Sequence, residues 1–434
     1  MDKMADVLGR AGAWCGQNKY LSAIKNAFQN FMPLTIAGAI GVLWCNVLVN
    51  ETTGLGMFFK PIMALDFLNP AFQAVNFCTI SCITVGITLG IAQEIGVWNM
   101  GAERAGYIPG LVGLAAWLSV TNTSHMVDGA KEAFTGVAGN ELGATGLFTG
   151  MIIGVLSVEL FCFFEKQDAL KIKMPEQVPP GVARAFEVLV PATITLIITA
   201  CIGSACYNLT GLYLNDVIKN GIQGPLGAVG ATIPGVMIIY LVIMLFWLVG
   251  IHGNNMLSAV KEALFTPLAL ENVEKFNKGE KPTNIINMYA LQMWGEFGGS
   301  GVTIGLVIAI MIFGKREDNK AIATLSLVPG LFNINETVTF GIPMVLNPIL
   351  GIPFVFACLV TIIVGYVLTV IGFCPVACLT VPWTTPPIVF GFLACGANVM
   401  GAVTQAILIV VSTVIYVPFL ISYEKYQNKQ AVEA

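Results

Sequence analysis

Glu336 stands in the stretch Asn333-Ile334-Asn335-Glu336-Thr337-Val338-Thr339-Phe340-Gly341-Ile342-Pro343, and from Thr337 to Tyr423 the chain carries no Asp, Glu, Lys, Arg or His. A charge in hydrocarbon costs about 2.5 to 3.5 kcal/mol on insertion scales, and more on an isolated helix, so a carboxylate at such a threshold is expected to do chemistry. No Lys or Arg lies between Lys320 and Lys425 to hold it in an ion pair. It can accept a hydrogen bond or a proton from a hydroxyl. A second group is Gly250-Ile251-His252-Gly253-Asn254-Asn255, an imidazole and two amides closing a long apolar run. Its competing reading is a helix C-terminus, with His252 on the last carbonyls and Gly253 as left-handed cap. That leaves Asn254 and Asn255 unexplained, so His252 is read as facing a ligand. In Trp294-Gly295-Glu296-Phe297-Gly298-Gly299-Ser300-Gly301, Gly298 and Gly299 either leave amides to contact a ligand or serve close helix packing, and Glu296 is a second, weaker candidate carboxylate. Trp383, in Val381-Pro382-Trp383-Thr384-Thr385-Pro386-Pro387, offers an apolar face to a sugar ring or belongs to an interfacial aromatic belt. Together Glu336, His252, Asn254, Asn255, Gly298, Gly299, Asn335 and Trp383 suit a neutral polyhydroxylated ligand, since these segments bring no fixed cation to hold an anion.

The elements that must position these groups are set by composition. Of 434 residues, 56% are hydrophobic and only 11% charged, against about a quarter charged in a soluble domain. This predicts an all-α integral membrane protein, because Gly- and Pro-interrupted apolar runs of about 20 residues fit helices better than the alternation of a barrel. Apolar runs at 30–50, 71–93, 105–121, 143–164, 186–208, 226–250, 286–313, 321–332, 352–373 and 398–422 allow about ten spans. The breaks at 250–255, 295–301 and 333–348 point to a binding site, since irregular backbone survives at membrane depth only where it lines a cavity or is buried in protein. Pro343 and Pro348 interrupt a helix and predict a re-entrant hairpin.

Residues 1–27 read as an amphipathic interfacial helix, and Gly211–Gly224 as a surface helix linking two halves. The Lys and Arg distribution places the N-terminus in the cytoplasm, except that 314–320 falls outside by counting while its charge argues inside; a re-entrant hairpin before it would change the parity. The loop Met174-Pro175-Glu176-Gln177-Val178-Pro179-Pro180-Gly181 is a connector or a docking surface for a soluble partner. A net charge of −4 gives no reason to expect a nucleic-acid partner. The eleven cysteines lack CxxC spacing and read as small buried hydrophobes, and His125 and His252 are the only histidines, so neither metal nor cofactor is expected.

The chain resembles the membrane-embedded IIC subunit of the sugar phosphotransferase system, in its lactose, cellobiose and N,N'-diacetylchitobiose branch. The resemblance runs over essentially the whole sequence. It is carried by Met174–Val182 with Phe186, by Gly250-Ile-His-Gly-Asn-Asn255, and most specifically by Phe332-Asn-Ile-Asn-Glu-Thr-Val-Thr-Phe-Gly-Ile-Pro343 with Asn347-Pro348. It implies a homodimer in the bacterial inner membrane with both termini cytoplasmic, ten transmembrane helices and two re-entrant hairpins. Residues 1–210 would form a five-helix dimer-interface domain and 211–434 the sugar-binding transport domain. The family's essential glutamate matches Glu336 and its sugar-contacting histidine matches His252. The subunit would bind a disaccharide, carry it across the bilayer and present its C6 hydroxyl to a phosphocysteine on a cytoplasmic IIB protein, itself charged by IIA. Glu424 to Ala434 is a short tail, so that donor is expected to be a separate polypeptide. The competing function is an ion-coupled secondary sugar symporter, with Glu336 and His252 as proton carriers.

Overall fold

Away from water every backbone amide needs a partner within the chain, and a helix supplies it locally. The computed structural model is accordingly all-α, and it describes residues 10, 13, 14, 17–51, 55–125, 133–175, 177–225, 230–342, 344, 345 and 347–433. The principal helices are α1 (Lys19–Leu43), α2 (Asn69–Cys78), α3 (Ile83–Met100), α4 (Ile108–Val120), α5 (Ala144–Glu165), α6 (Pro180–Thr210), α7 (Ile233–Leu248), α8 (Ser258–Asn277), α9 (Met288–Gly295), α10 (Ile304–Phe313), α11 (Glu317–Leu331), α12 (Gly351–Val370) and α13 (Val399–Glu433). Among the described residues six helical segments are long and apolar enough to cross a membrane, or seven if the pair Met288–Val302 and Ile304–Phe313, bent by 58°, is one span. Ten spans are therefore not reached on length and composition. The shortfall lies in α4 and α7, apolar but short, and in α11, which opens on Glu317 and Asp318. Of the amphipathic segment 1–27, residues 1–9, 11, 12, 15 and 16 fall outside the described residues, and the part from Lys19 onward belongs to α1.

The chain divides into two units, one of Gln17–Gly38 and Ala74–Gly227, the other of Ala39–Gln73 and Ala228–Ala434 together with the described residues before Gln17. In the first, α3, α4, α5 and α6 pack around Ala116, Trp117, Val120 and Ile153. Arg104 and Arg184 both bind the buried carboxylate of Glu165, each at 2.9 Å, and both also reach Glu187. The 174–181 segment turns at Val178, whose N–H bonds to Pro175 O, and feeds the proline that starts α6; Glu176 lies outside the described residues. The 211–224 region is helical as expected, with buried Asn215 accepting a hydrogen bond from Thr149 Oγ1 at 2.6 Å.

In the second unit α10 lies along α13, and Tyr416 and Ser412 of α13 donate to the carbonyls of Gly301 and Val302 at the bend. The buried carboxylate of Glu424 accepts from the backbone amides of Lys315 and Arg316, at 2.9 and 3.3 Å, and from Asn319 Nδ2 at 3.2 Å. The charged 314–320 segment thus lies at the same end of the unit as residues 424–428. The 58° bend before α10 shows that 286–313 is not one straight rod.

Candidate functional site

The residues singled out by chemistry all lie in the second unit. After α7 the chain turns through Gly250, at φ 80°, and His252 caps the short helix Gly253–Met256. The left-handed glycine is therefore Gly250, not Gly253, and His252 serves a helix N-terminus instead of the preceding C-terminus. Its Nδ1 accepts from Asn255 N at 3.3 Å. An Nδ1 that accepts leaves the ring hydrogen on Nε2, and Nε2 lies 3.9 Å from Glu336 Oε1. That gap exceeds a hydrogen bond. Both side chains are partly open, at 39% and 49% exposure, so a donor and an acceptor face one another with each still available to a third group. Asn254 Oδ1 is buried with no protein partner, which leaves an acceptor for a ligand or water, whereas the Asn255 side chain is exposed. Trp247, buried, sets its ring 4.4 Å from that of His252.

Glu336 opens the short helix Glu336–Gly341, beyond the break that follows α11. The break depends on Asn333, a residue that tolerates its left-handed φ of 63°. Asn333 Oδ1 accepts from Gly298 N at 2.6 Å, and its Nδ2 donates to Trp383 O at 2.5 Å and Thr385 O at 3.1 Å. One amide therefore ties together the Gly-rich break, the Glu336 segment and the proline-rich loop, three regions far apart in sequence. Asn335 is buried and donates to Ser300 O and Thr339 Oγ1, at 3.0 and 3.1 Å. Gly299, at φ 87°, has no room for a Cβ, which would stand 2.5 Å from that of Asn335. The Gly298 and Gly299 amides are both bonded within the protein, the latter to Glu296 O. What Gly298, Gly299 and Asn335 give the site is shape. Trp383 is 45% exposed while its carbonyl is held. Asn347 Oδ1 accepts from Ile349 and Leu350 N–H and starts α12; Pro343 lies outside the described residues.

A buried cation lies on the helix that follows the His252 turn. Lys261 of α8 is buried and paired with Glu296. Glu296 Oε1 also accepts from Tyr240 OH at 2.7 Å. Both Lys261 and Glu296 lie near enough to His252 to act on it electrostatically. Lys261 lies on α8, outside the segments that carry the other candidate residues.

The family model described as Phosphotransferase system, EIIC matches residues 25–358. The chain belongs to the EIIC family of the phosphotransferase system. This EIIC is 32% identical over 441 residues to the oligo-beta-mannoside-specific EIIC component of Bacillus subtilis, covering 100% of this chain and 97% of that protein. It is 29% identical over 486 residues to the cellobiose-specific EIIC component of Lactococcus lactis, covering 98% of each. Among solved structures, the transporter ChbC, the IIC component from the N,N'-diacetylchitobiose-specific phosphotransferase system, superposes with a TM-score of 0.88 at 29% identity over 96% of each chain. The EIIC chain is thus a multi-pass membrane component of a sugar phosphotransferase system.

Proposed function

We propose that this EIIC binds a β-linked disaccharide of glucose or N-acetylglucosamine, moves it across the bacterial inner membrane and presents its C6 hydroxyl to the phosphocysteine of a separate cytoplasmic IIB protein, which IIA recharges. The observation that carries the reading is the 3.9 Å couple of His252 Nε2 and Glu336 Oε1, both partly exposed and neither satisfied by the other. A sugar hydroxyl lying between them would accept from Nε2–H and donate to the carboxylate. Glu336 would take the proton as the oxygen attacks phosphorus, and His252 would fix the ring; positioning of this kind dominates phosphoryl transfer. The names of the relatives, specific for cellobiose and diacetylchitobiose, support a disaccharide. Asn254 and the exposed Trp383 are the further groups assigned to the sugar. The protein is taken to be a homodimer through residues 1–210, with 211–434 holding the sugar and both termini cytoplasmic.

The test uses purified protein in vesicles, supplied with phosphorylated IIB on the cytoplasmic side and labelled cellobiose or N,N'-diacetylchitobiose outside. Sugar phosphate should accumulate, without any ion gradient and only when IIB is charged. Delivery of unmodified sugar driven by a proton or sodium gradient would instead establish an ion-coupled symporter.

A further inference from the structure

The Lys261–Glu296 pair takes no part in that chemistry, yet its members lie just after the His252 turn and at the start of the Gly-rich break. Lys261 lies early in α8, just beyond the His252 turn, its N–H bonded to Leu257 O at 2.9 Å. Glu296 ends α9 and enters the Gly-rich break that Asn333 ties to the Glu336 segment. Lys261 is 5% exposed, and its ammonium also stands over the Tyr240 ring, 5.6 Å from the centroid. Among the described residues, the carboxylates of Glu336 and Glu296 and the ammonium of Lys261 all act electrostatically on His252. Glu262, beside Lys261, adds a third carboxylate within reach of the pair.

A buried ion pair gains little over an apolar replacement of the same volume, so stability alone gives no reason to keep one beside a neutral ligand. The ligand does not remain neutral. Phosphorylation converts an uncharged hydroxyl into a phosphate monoester carrying close to two negative charges, in surroundings already rich in carboxylates.

We propose that Lys261 is the cation that receives the phosphoryl group of the product. This rests on the phosphotransferase reading above. While the sugar is neutral Glu296 holds the ammonium. As the C6 oxygen–phosphorus bond forms and the sulfur–phosphorus bond of the donor breaks, the thiolate leaves on IIB, the hydroxyl proton passes to Glu336, and the ammonium turns from Glu296 to a phosphate oxygen. Tyr240 OH keeps Glu296 hydrogen-bonded throughout.

Calorimetric titration of the purified full chain, with the disaccharide and with its C6 phosphate ester, tests this. Wild type is compared with Glu296→Gln, with Lys261→Arg and with the double variant Lys261→Met/Glu296→Gln, which removes both charges and so avoids stranding either one. Affinity for the unphosphorylated sugar should be unchanged in all four. The phosphate ester should bind roughly ten- to a hundredfold more weakly to the double variant, the value of one charge-assisted hydrogen bond. It should bind more tightly to Glu296→Gln, whose lysine is released, and keep most of its affinity in Lys261→Arg. With charged IIB present, the double variant should lose kcat at unchanged KM for the sugar. A double variant that binds the phosphate ester as wild type does reduces the pair to a structural tie. A wild type that binds neither compound removes the transport reading and this assignment with it.

Discussion

Glu336→Gln keeps the shape of the side chain and removes its ability to take a proton. Sugar should still bind, while phosphorylation by charged IIB falls about a hundredfold or more, the usual share of a general base. Turnover near the wild-type rate would dismiss the base role. His252→Ala deletes the Nε2–H donor and the Nδ1 cap together. Disaccharide affinity should drop by roughly 1 to 3 kcal/mol, the loss expected when a hydroxyl is left unpaired, and a binding titration with unchanged affinity would return His252 to capping alone. At this scale the two central side chains were legible because each stood out chemically from apolar surroundings. Lys261 was not, since a lysine on a helix that also carries Glu262, Glu271, Glu274 and Lys275 looks like any solvated face, and only the fold buries it against Glu296. The competing cap reading placed the left-handed glycine at Gly253, whereas it is Gly250. Gly250 and Gly253 are equivalent by type, and backbone geometry alone separates them.

The breaks were visible in sequence as glycine, asparagine and proline interruptions, but not the device that joins two of them, at 295–301 and 333–348, to the proline-rich loop around Trp383. Asn333 does so with one amide, and its partners lie on the segments around Gly298 and Trp383. Asn333→Ala should therefore destabilise the protein by roughly 2 to 4 kcal/mol, combining lost hydrogen bonds with a left-handed backbone that alanine resists. It should also weaken sugar binding although it touches no sugar; thermal unfolding in detergent and a parallel titration check both, and an unshifted unfolding temperature would refute the clamp. Glu424→Ala removes the acceptor for two backbone amides and Asn319, exposing the α10–α11 turn to fraying. The expected cost is about 1 to 3 kcal/mol, with hydrogen exchange at Lys315 and Arg316 rising first. Retained protection there would argue against this anchoring. Helix lengths were read less well than helix positions, because hydropathy marks where a run is apolar and not where a proline sets the helix boundary, as Pro109 does at the start of α4.

For the whole molecule, the tie between Glu424 and the 315–319 segment fixes a relation that charge counting left open. Cysteines placed at Glu317 and at Gln430, in a chain freed of its native cysteines, should react with a membrane-impermeant maleimide from the same side. Labelling from opposite sides would overturn the arrangement. The His252 turn carries a further consequence for how transport is driven. An imidazole that has lent one nitrogen to the amide of Asn255 can pick up a second hydrogen only by turning an N–H against an N–H, which undoes its own cap. A residue built this way is a poor wheel for a proton-driven machine, because each cycle would unwind the turn it caps. The energy for uptake is better drawn from chemistry done on the cargo than from ions passing through His252.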